Sequence, residues 1–373
     1  MDQIRCLTDR TRSMGPKAHR IIQYVLGSMM NFSAEKARNR LEAYWHDPKS
    51  SCWKENEISE ASGKYDCSII IPAYNTEKFI DGCLKSVIEQ TTDYAVQIIV
   101  VNDGSTDRTG ELLKNYENIP DLTVIHQKNK GLSGARNTGI RNSDGKYLMF
   151  VDSDDRLHGE NAVDKLLTVA FKNDADIVDG NYASVAVDGT INYEVKKYSE
   201  GGVDPRETLF GHVWGKVYRR RLFRHLRFPE KYWFEDSVNA QIIFPMARKV
   251  YTISDIIYEY TSNPVSITHT TAGNPRSLDS LYITEALLKD KPRFGLELDL
   301  KDLRYFLRMV RLTYARTEAC NAIIVRSVFD VQCVLFNQFS HIDLADQEDT
   351  KLAKALQRKN YRSYLKAVWE TAP

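Results

Sequence analysis

The sequence predicts an α/β fold in which a mostly parallel sheet is flanked by helices, with helical appendages at both ends. From Cys67 onward, short apolar runs alternate with amphipathic segments at the spacing of β-α-β units. Polar residues follow each apolar run. The chain before residue 65 and after residue 290 is helical or polar in pattern. We therefore predict an N-terminal appendage and linker (1–64), a central α/β domain (65–290) and a C-terminal helical region (291–373).

Composition excludes several classes of protein. The 373 residues carry 51 basic and 50 acidic side chains, a net charge of +1, which gives no indication of nucleic-acid binding. The six cysteines are scattered without a Cys-x-x-Cys pair, so neither a disulfide framework nor a zinc site is indicated. No uninterrupted apolar run approaches the ~18 residues of a spanning helix, and the N-terminus lacks a signal-peptide core. These features predict a soluble cytoplasmic protein.

The central domain contains four predicted buried strands, each followed by a helix. The strands are Cys67–Pro72, Val96–Val101, Leu122–His126 and Tyr147–Val151, and the helices are Thr76–Gln90, Asp107–Asn118, one opening at Ser133, and Glu160–Lys172.

The second half is less regular. Residues 182–198 read as antiparallel strands around a turn at Asp188-Gly189, followed by a helix at 237–246, a strand at 250–260 and a helix at 275–288.

Both ends of the chain are predicted to be helical. Apolar residues between Ile21 and Met30 form one helix face, and a second helix runs from Ala34 to about Trp45. Near the C-terminus, helices cover 303–339 and 350–369, with arginines among the apolar residues. Such arginines indicate either a helix on an anionic membrane surface or the solvated side of a packed or dimerising helix. Peripheral membrane contact and a homodimer through these helices are therefore candidate interactions.

An aspartate cluster follows the fourth strand. Asp152, Asp154 and Asp155 repel one another, and a divalent ion carrying substrate phosphates would neutralise them. A solvated turn that caps the next helix is the alternative, since Asp and Ser are favoured there.

Polar segments also follow the other three strands: Tyr74-Asn75, Asp103-Gly104-Ser105 and Lys130-Gly131. In a parallel sheet the carboxyl ends of strands share one edge, where open α/β folds bind ligands. This placement favours a nucleotide-type site over unrelated turns.

Four blocks of sequence resemble the family 2 inverting glycosyltransferases. They are Ser68–Asn75, Val101–Asp107, Asn129–Asn137 and Phe150–Asp155. That family has the GT-A fold and uses nucleotide-sugar donors. The resemblance implies a metal-dependent transferase that moves a sugar from a nucleoside-diphosphate sugar, with a UDP-sugar favoured. The acceptor would be a glycan, a lipid-linked glycan or a glycoprotein in surface-polysaccharide or glycoconjugate synthesis. It also implies work at the inner face of the cell membrane.

The resemblance assigns donor-binding roles. Pro72, Ala73 and Tyr74 would hold the base, Asp103 would accept a hydrogen bond from its imide N–H, and Arg136 would approach base or phosphate. A packing aromatic and a turn-forming aspartate are the alternatives for Tyr74 and Asp103.

Further roles concern the ribose, the metal and the diphosphate. Asp152 would contact the ribose, Ser153 is a further donor-binding candidate, and Asp154 would ligate Mn²⁺ or Mg²⁺, with Asp155 in support. Lys216, Ser266 and Thr268 would contact the diphosphate, and His269 is a further candidate for the metal. Packing is the alternative for Lys216.

On the acceptor side the resemblance points to Glu235 and Asp236, with Asp236 as the catalytic base and Trp233 stacking on a sugar ring. Helix capping is the alternative for this acidic pair. A nucleotidyltransferase on a similar fold and an inactive scaffold remain as alternative functions. The sugar, the nucleotide, the acceptor, the oligomeric state and the roles of the appendages are not identified by the sequence.

Overall fold

The computed structural model describes residues 16–262, 271, 273–342 and 349–370. Within them, ten strands form one mixed sheet. The strands are β1 (Tyr65–Ala73), β2 (Val96–Asn102), β3 (Leu122–His126), β4 (Gly145–Phe150), β5 (Arg156–Leu157), β6 (Ile177–Val185), β7 (Ile191–Val195), β8 (Gly201–Gly202), β9 (Lys216–Arg219) and β10 (Val250–Thr261).

Helices cover both faces of the sheet and both ends of the chain. The α-helices are α1 (Pro16–Met29), α2 (Ala34–Tyr44), α3 (Ile80–Ile88), α4 (Thr109–Leu113), α5 (Gly131–Asn142), α6 (Ala162–Asn173), α7 (Pro205–Thr208), α8 (Phe244–Met246), α9 (Asp279–Asp290), α10 (Leu300–Thr317), α11 (Ala322–Phe336), α12 (Thr350–Gln357) and α13 (Tyr361–Glu370). Short 3₁₀ turns lie at Lys114–Tyr116, Arg220–Phe223, Pro275–Leu278, Lys291–Phe294 and Asn337–Phe339, and a π-helix at Asn239–Ile243.

The strand order is β3-β2-β1-β4-β9-β6-β10-β5, with β7 beside β6 and β8 beside β10. The first four of these strands are parallel to one another, as predicted. β9, which the sequence analysis left unassigned, lies antiparallel between β4 and β6. The α/β fold with helical appendages is confirmed, and the sheet is mixed because β9 in its centre and β5, β7 and β8 pair antiparallel with their neighbours.

The apolar runs form buried strands because both faces of the sheet are covered. In β1, Ile69 and Ile71 enter one apolar cluster, and Ile70 enters the cluster on the opposite face. The second cluster also contains Leu41 of α2 and Phe329 of α11. The N-terminal and C-terminal helices therefore share one core with the sheet, and the division at residues 65 and 291 stays a prediction.

Several helices are shorter than predicted. α3 begins at Ile80 because the N–H groups of Thr76 and Glu77 bond to Thr109 Oγ1 (2.8 Å) and Asp107 Oδ2 (3.1 Å) in the next loop. The predicted α-helix 237–246 is mostly a π-helix. The predicted final helix is two helices, α12 and α13, with Lys359 between them in the left-handed region (φ 51°).

One helix in the described part of the chain, Ala322–Phe339, has the length and composition to cross a membrane. The protein buries 72% of this helix, and the core helix of a soluble protein meets the same criteria, so the finding is weak evidence for a span.

Candidate active site

The strand register brings the polar segments to one edge of the sheet. Ala73 at the end of β1 pairs with Asn102 at the end of β2, which pairs with His126 at the end of β3. Phe150 at the end of β4 pairs with Ile70 of β1. The loops that begin at Tyr74, Asp103 and Val151 therefore share one edge, as the sequence predicted.

Asp103 is held in a fixed orientation at this edge. Its Oδ1 accepts hydrogen bonds from Gln127 Nε2 (2.6 Å) and the Lys130 backbone N–H (2.8 Å). Its Oδ2 is buried and has no hydrogen-bond partner among the described residues. A buried carboxylate oxygen without a donor is costly unless a ligand supplies one. Asp103 is therefore suited to receive one N–H from a bound molecule.

The loop after β1 is joined to the loop after β2. Asn75, in the left-handed region (φ 53°), receives a hydrogen bond from Thr106 N–H (2.8 Å) and donates its own N–H to Ser105 Oγ (3.1 Å). Pro72 and Ala73 are buried, while Tyr74 is 48% exposed. The Tyr74 ring is thus accessible beside Asp103 at the same edge.

Arg136 connects the aspartate cluster with the acidic pair at 235–236. Its Nη2 donates to Asp152 Oδ1 (2.7 Å) and its Nη1 to Glu235 Oε1 (2.5 Å), and its side chain is only 3% exposed. Burial lowers the pKa of the Arg136 guanidinium, but the two carboxylates outweigh this effect and the net pKa is raised. In this structure Arg136 bridges the two acidic groups, a position that the family resemblance alone did not indicate.

The three clustered aspartates have different surroundings. Asp155 is buried, and its oxygens accept hydrogen bonds from Tyr258 Oη (2.9 Å) and Thr261 N–H (2.7 Å). The Tyr258 hydroxyl also accepts the Asp152 N–H (3.1 Å). Burial and the charges of Asp154 and Asp152 raise the pKa of Asp155 well above its usual value. Asp155 therefore supports the loop from below, while Asp152 and Asp154 are partly accessible and Ser153 is buried.

Lys216 lies away from solvent. Its Nζ is 3.2 Å from Asp179 Oδ2 and within hydrogen-bond distance of His212 Nδ1 (2.8 Å), and its side chain is fully buried. Trp214 is stacked between His212 (centroids 3.5 Å apart) and Tyr258 (4.4 Å). Both residues pack in the interior here, so we leave Lys216 out of the proposed set of donor contacts.

The aromatic run before the acidic pair is anchored by other parts of the chain. Tyr232 Oη donates to Asp47 Oδ1 (2.6 Å), and the Trp233 N–H donates to Asp279 Oδ2 (2.8 Å). Phe234 has left-handed backbone (φ 64°), which is strained for an aromatic residue. A strained residue immediately before Glu235 is consistent with a fixed functional orientation of this loop.

The side chain of Asp236 is accessible to solvent, but nearby protein atoms still displace part of the water around its carboxyl group and change its pKa. Burial, followed by the charge of Glu235, raises the pKa of Asp236 to about 6, and Arg316 and Arg136 oppose the rise. A carboxylate with this pKa can accept a proton near neutral pH more readily than an ordinary aspartate.

Residues outside the predicted motifs complete the site. Arg316 and Tyr305 of α10 interact electrostatically with Asp236, and the Arg316 guanidinium lies 3.5 Å from the centre of the Phe234 ring. Gln127 and Tyr258 hold Asp103 and Asp155. For Arg316 the sequence offered one signal, the mixture of arginines with apolar residues in the C-terminal helices; it offered none for Gln127 and Tyr258.

The described residues contain no cluster of three or more His, Cys, Asp or Glu side chains that could hold a metal ion. The predicted contacts Ser266, Thr268 and His269 lie outside the described residues.

Part of the chain matches a known protein family. Residues 68–227 match the family described as Glycosyl transferase family 2. The chain is 36% identical over 210 residues to Glycosyltransferase GlyA of Streptococcus pneumoniae (52% of this chain, 30% of GlyA). It is 37% identical over 216 residues to the uncharacterized glycosyltransferase EpsJ of Bacillus subtilis (54% of this chain, 62% of EpsJ). It thus spans less than two thirds of either relative.

The fold is similar to that of a solved enzyme. S. aureus TarS, crystallised in complex with UDP-GlcNAc, superposes with a TM-score of 0.55 at 19% identity, covering 82% of this chain and 91% of that one. The segment that matches Glycosyl transferase family 2, residues 68–227, carries Asp103, Arg136 and the aspartate cluster.

Proposed function

We propose that the protein is a metal-dependent inverting glycosyltransferase that moves a sugar from a nucleoside-diphosphate sugar, UDP-sugar in preference, to an acceptor hydroxyl. One observation carries the proposal. Arg136 joins Asp152, at the edge where the four strands end, to Glu235, the neighbour of the candidate base Asp236. Arg136 thereby connects the proposed donor-binding edge of the sheet with the loop that carries the proposed base.

The nucleotide is proposed to bind along the loops after β1, β2 and β4. The unpaired Asp103 Oδ2 would accept the imide N–H of uracil, and the exposed Tyr74 ring would lie against the base next to Pro72 and Ala73. Asp152 and Ser153 would contact the ribose. The family match and the fold shared with TarS, which was crystallised with UDP-GlcNAc, support this choice of donor.

The carboxylates at this edge of the sheet suit a divalent ion that is held largely by the substrate. Mg²⁺ is typically bound by one or two carboxylates together with substrate phosphates and water, so a three-residue cage is not required. Asp154, with the accessible part of Asp152, supplies hard oxygen ligands at this edge. When bound, Mn²⁺ or Mg²⁺ would neutralise the charge that develops on the leaving diphosphate.

The chain's own residues would carry the proton transfer and hold the reactants. Asp236 would take the proton of the acceptor hydroxyl as its oxygen bonds to the anomeric carbon. The bond from that carbon to the diphosphate oxygen breaks at the same time, so the nucleoside diphosphate leaves and the configuration inverts. Arg136 would keep Asp152 and Glu235 in place, and Trp233 would stack on the acceptor sugar.

We propose that the acceptor is a glycan, a lipid-linked glycan or a glycoprotein in surface-polysaccharide or glycoconjugate synthesis, and that the enzyme works in the cytoplasm at the inner face of the membrane. Three exposed apolar residues of α1, Ile21, Val25 and Met29, lie four residues apart on one helix face, and Arg362 of α13 packs over Tyr24 of the same helix. This face supports a peripheral membrane contact, and a homodimer through the same helices is the competing arrangement.

A thermal-shift screen of nucleoside diphosphates and sugar nucleotides, with and without Mn²⁺, tests the proposal. We expect UDP and UDP-sugars to raise the unfolding temperature, and Mn²⁺ to increase the shift. Products are then separated by chromatography. Release of pyrophosphate in place of UDP would identify a nucleotidyltransferase, and the absence of any nucleotide effect would indicate an inactive scaffold.

A further inference from the structure

Helix α10 lies along the candidate base. Arg316 and Tyr305 both interact electrostatically with Asp236, although they are separated by about three helical turns. The intervening positions Arg308 and Leu312 fall on the same helical face by their spacing, and both are exposed. We call Tyr305, Arg308, Leu312 and Arg316 the α10 face. An acceptor that reaches Asp236 therefore meets this face.

The α10 face carries two guanidinium groups without acidic partners. Within the described parts of the chain, neither Arg308 nor Arg316 lies within 4.0 Å of a carboxylate oxygen. Elsewhere on the helix, Lys301 forms an ion pair with Asp204, and Arg311 one with Asp349 at 2.5 Å. Of the two arginines, Arg316 acts on Asp236 directly, and Arg308 lies on the same helical face.

Each guanidinium group lies over an aromatic ring. Arg316 lies 3.5 Å above the Phe234 ring and donates one hydrogen bond to Ser280 Oγ (2.7 Å), and Arg308 lies 4.8 Å above the Tyr305 ring. A guanidinium stacked in this way keeps edge N–H donors available for a planar or tetrahedral anion.

A purely structural explanation accounts for only one of these arginines. Arg316 supports the strained Phe234 backbone and moderates the acidity of Asp236. Arg308 is exposed, and within the described part of the chain it contacts Tyr305 of its own helix and supports no other segment. An anionic ligand that spans both explains why the two charges share the face beside the base.

We propose that the acceptor carries an anionic group, a phosphate ester or a carboxylate, close to the hydroxyl that is glycosylated, and that Arg308 and Arg316 bind this group. Tyr305 and Leu312 contact the carbon skeleton of the acceptor. The proposal rests on the proposed function, because it takes Asp236 as the base on the acceptor side.

The test compares matched charged and neutral compounds on the full-length chain loaded with UDP and Mn²⁺. Ligand-observed NMR titrations measure the Kd of glycerol 3-phosphate against glycerol and of glucuronate against glucose. We expect the charged member of at least one pair to bind about tenfold tighter than its neutral partner. The favoured pair identifies phosphate or carboxylate as the source of the charge. Equal binding within both pairs overturns the proposal.

Variants then locate the preference. Arg308→Gln and Arg316→Gln are each expected to reduce the charged-to-neutral ratio about fivefold or more, whereas Arg311→Gln, on the same helix beside Asp349, retains it. Because Arg308 is exposed, its variant carries the test if the Arg316 variant does not fold. An unchanged ratio in Arg308→Gln, or an equal loss in Arg311→Gln, overturns the proposal. Failure of the wild-type chain to bind UDP would instead refute the proposed function.

Discussion

We predict that Asp103→Asn weakens the binding of UDP and strengthens the binding of CDP. The Oδ1 position of Asp103 accepts two N–H groups, from Gln127 and the Lys130 backbone, so in the variant the amide oxygen must occupy that position. The amide NH₂ then takes the place of the unpaired Oδ2. It opposes the imide N–H of uracil but matches the N3 acceptor of cytosine.

The size of the change follows from the hydrogen bond that is lost. A hydrogen bond to a charged group contributes about 1.5–3 kcal/mol, which corresponds to about 10- to 100-fold weaker UDP binding. A new neutral hydrogen bond to CDP contributes about 1 kcal/mol, or about fivefold. The ratio of UDP to CDP affinity should therefore fall by about two orders of magnitude.

Isothermal titration of UDP and CDP into both proteins measures this ratio. Asp107→Asn is the matched control, because Asp107 accepts the N–H groups of Glu77 and Thr109 within the same loop region and has no unpaired buried oxygen. If Asp103→Asn kept the wild-type preference for UDP, or if Asp107→Asn lost it equally, the assignment of Asp103 to the base would be wrong.

Three further predictions concern the bridge, the base and the metal. Arg136→Met leaves the buried Glu235 carboxylate unpaired, so the free energy of unfolding measured in urea should fall by about 3–5 kcal/mol. Adding Glu235→Gln should recover part of the loss, and a loss below about 1 kcal/mol would contradict the bridge. The transfer rate should be constant above pH ~7 and fall about tenfold per pH unit below the Asp236 pKa of about 6. Because Arg316 lowers that pKa, Arg316→Gln should move this acidic fall in rate to higher pH, and a profile without such a fall would exclude Asp236 as the base. Asp154→Ala should raise the Mn²⁺ concentration needed for half-maximal activity at least about tenfold, and an unchanged metal titration would remove Asp154 from the metal site.

The first half of the fold could be predicted because its signals are local. The apolar runs that became β1 to β4 are continuous, and polar residues mark the end of each, so the shared edge followed from parallel pairing alone. β9 was not predicted because a four-residue strand between β4 and β6 is defined by its neighbours rather than by its own sequence.

The candidate site was predictable where a motif carried it and not where distant segments meet. Asp103, Asp152 and Asp236 were singled out from the sequence, and their roles stay predictions. The bridge from Arg136 to Glu235 joins residues 99 positions apart, and the approach of Arg316 to Asp236 depends on how α10 packs. Arg316 has the same sequence character as Arg311, which is paired with Asp349, so only packing distinguishes the two.

The most direct test of the account measures UDP release from a UDP-sugar by the wild-type chain and by Asp236→Asn, alongside UDP affinity. The account predicts that the wild type releases UDP, that Asp236→Asn lowers the rate at least about 100-fold, and that its UDP affinity stays within about twofold of the wild-type value. An undiminished rate in Asp236→Asn, or a product other than the nucleoside diphosphate, would contradict it.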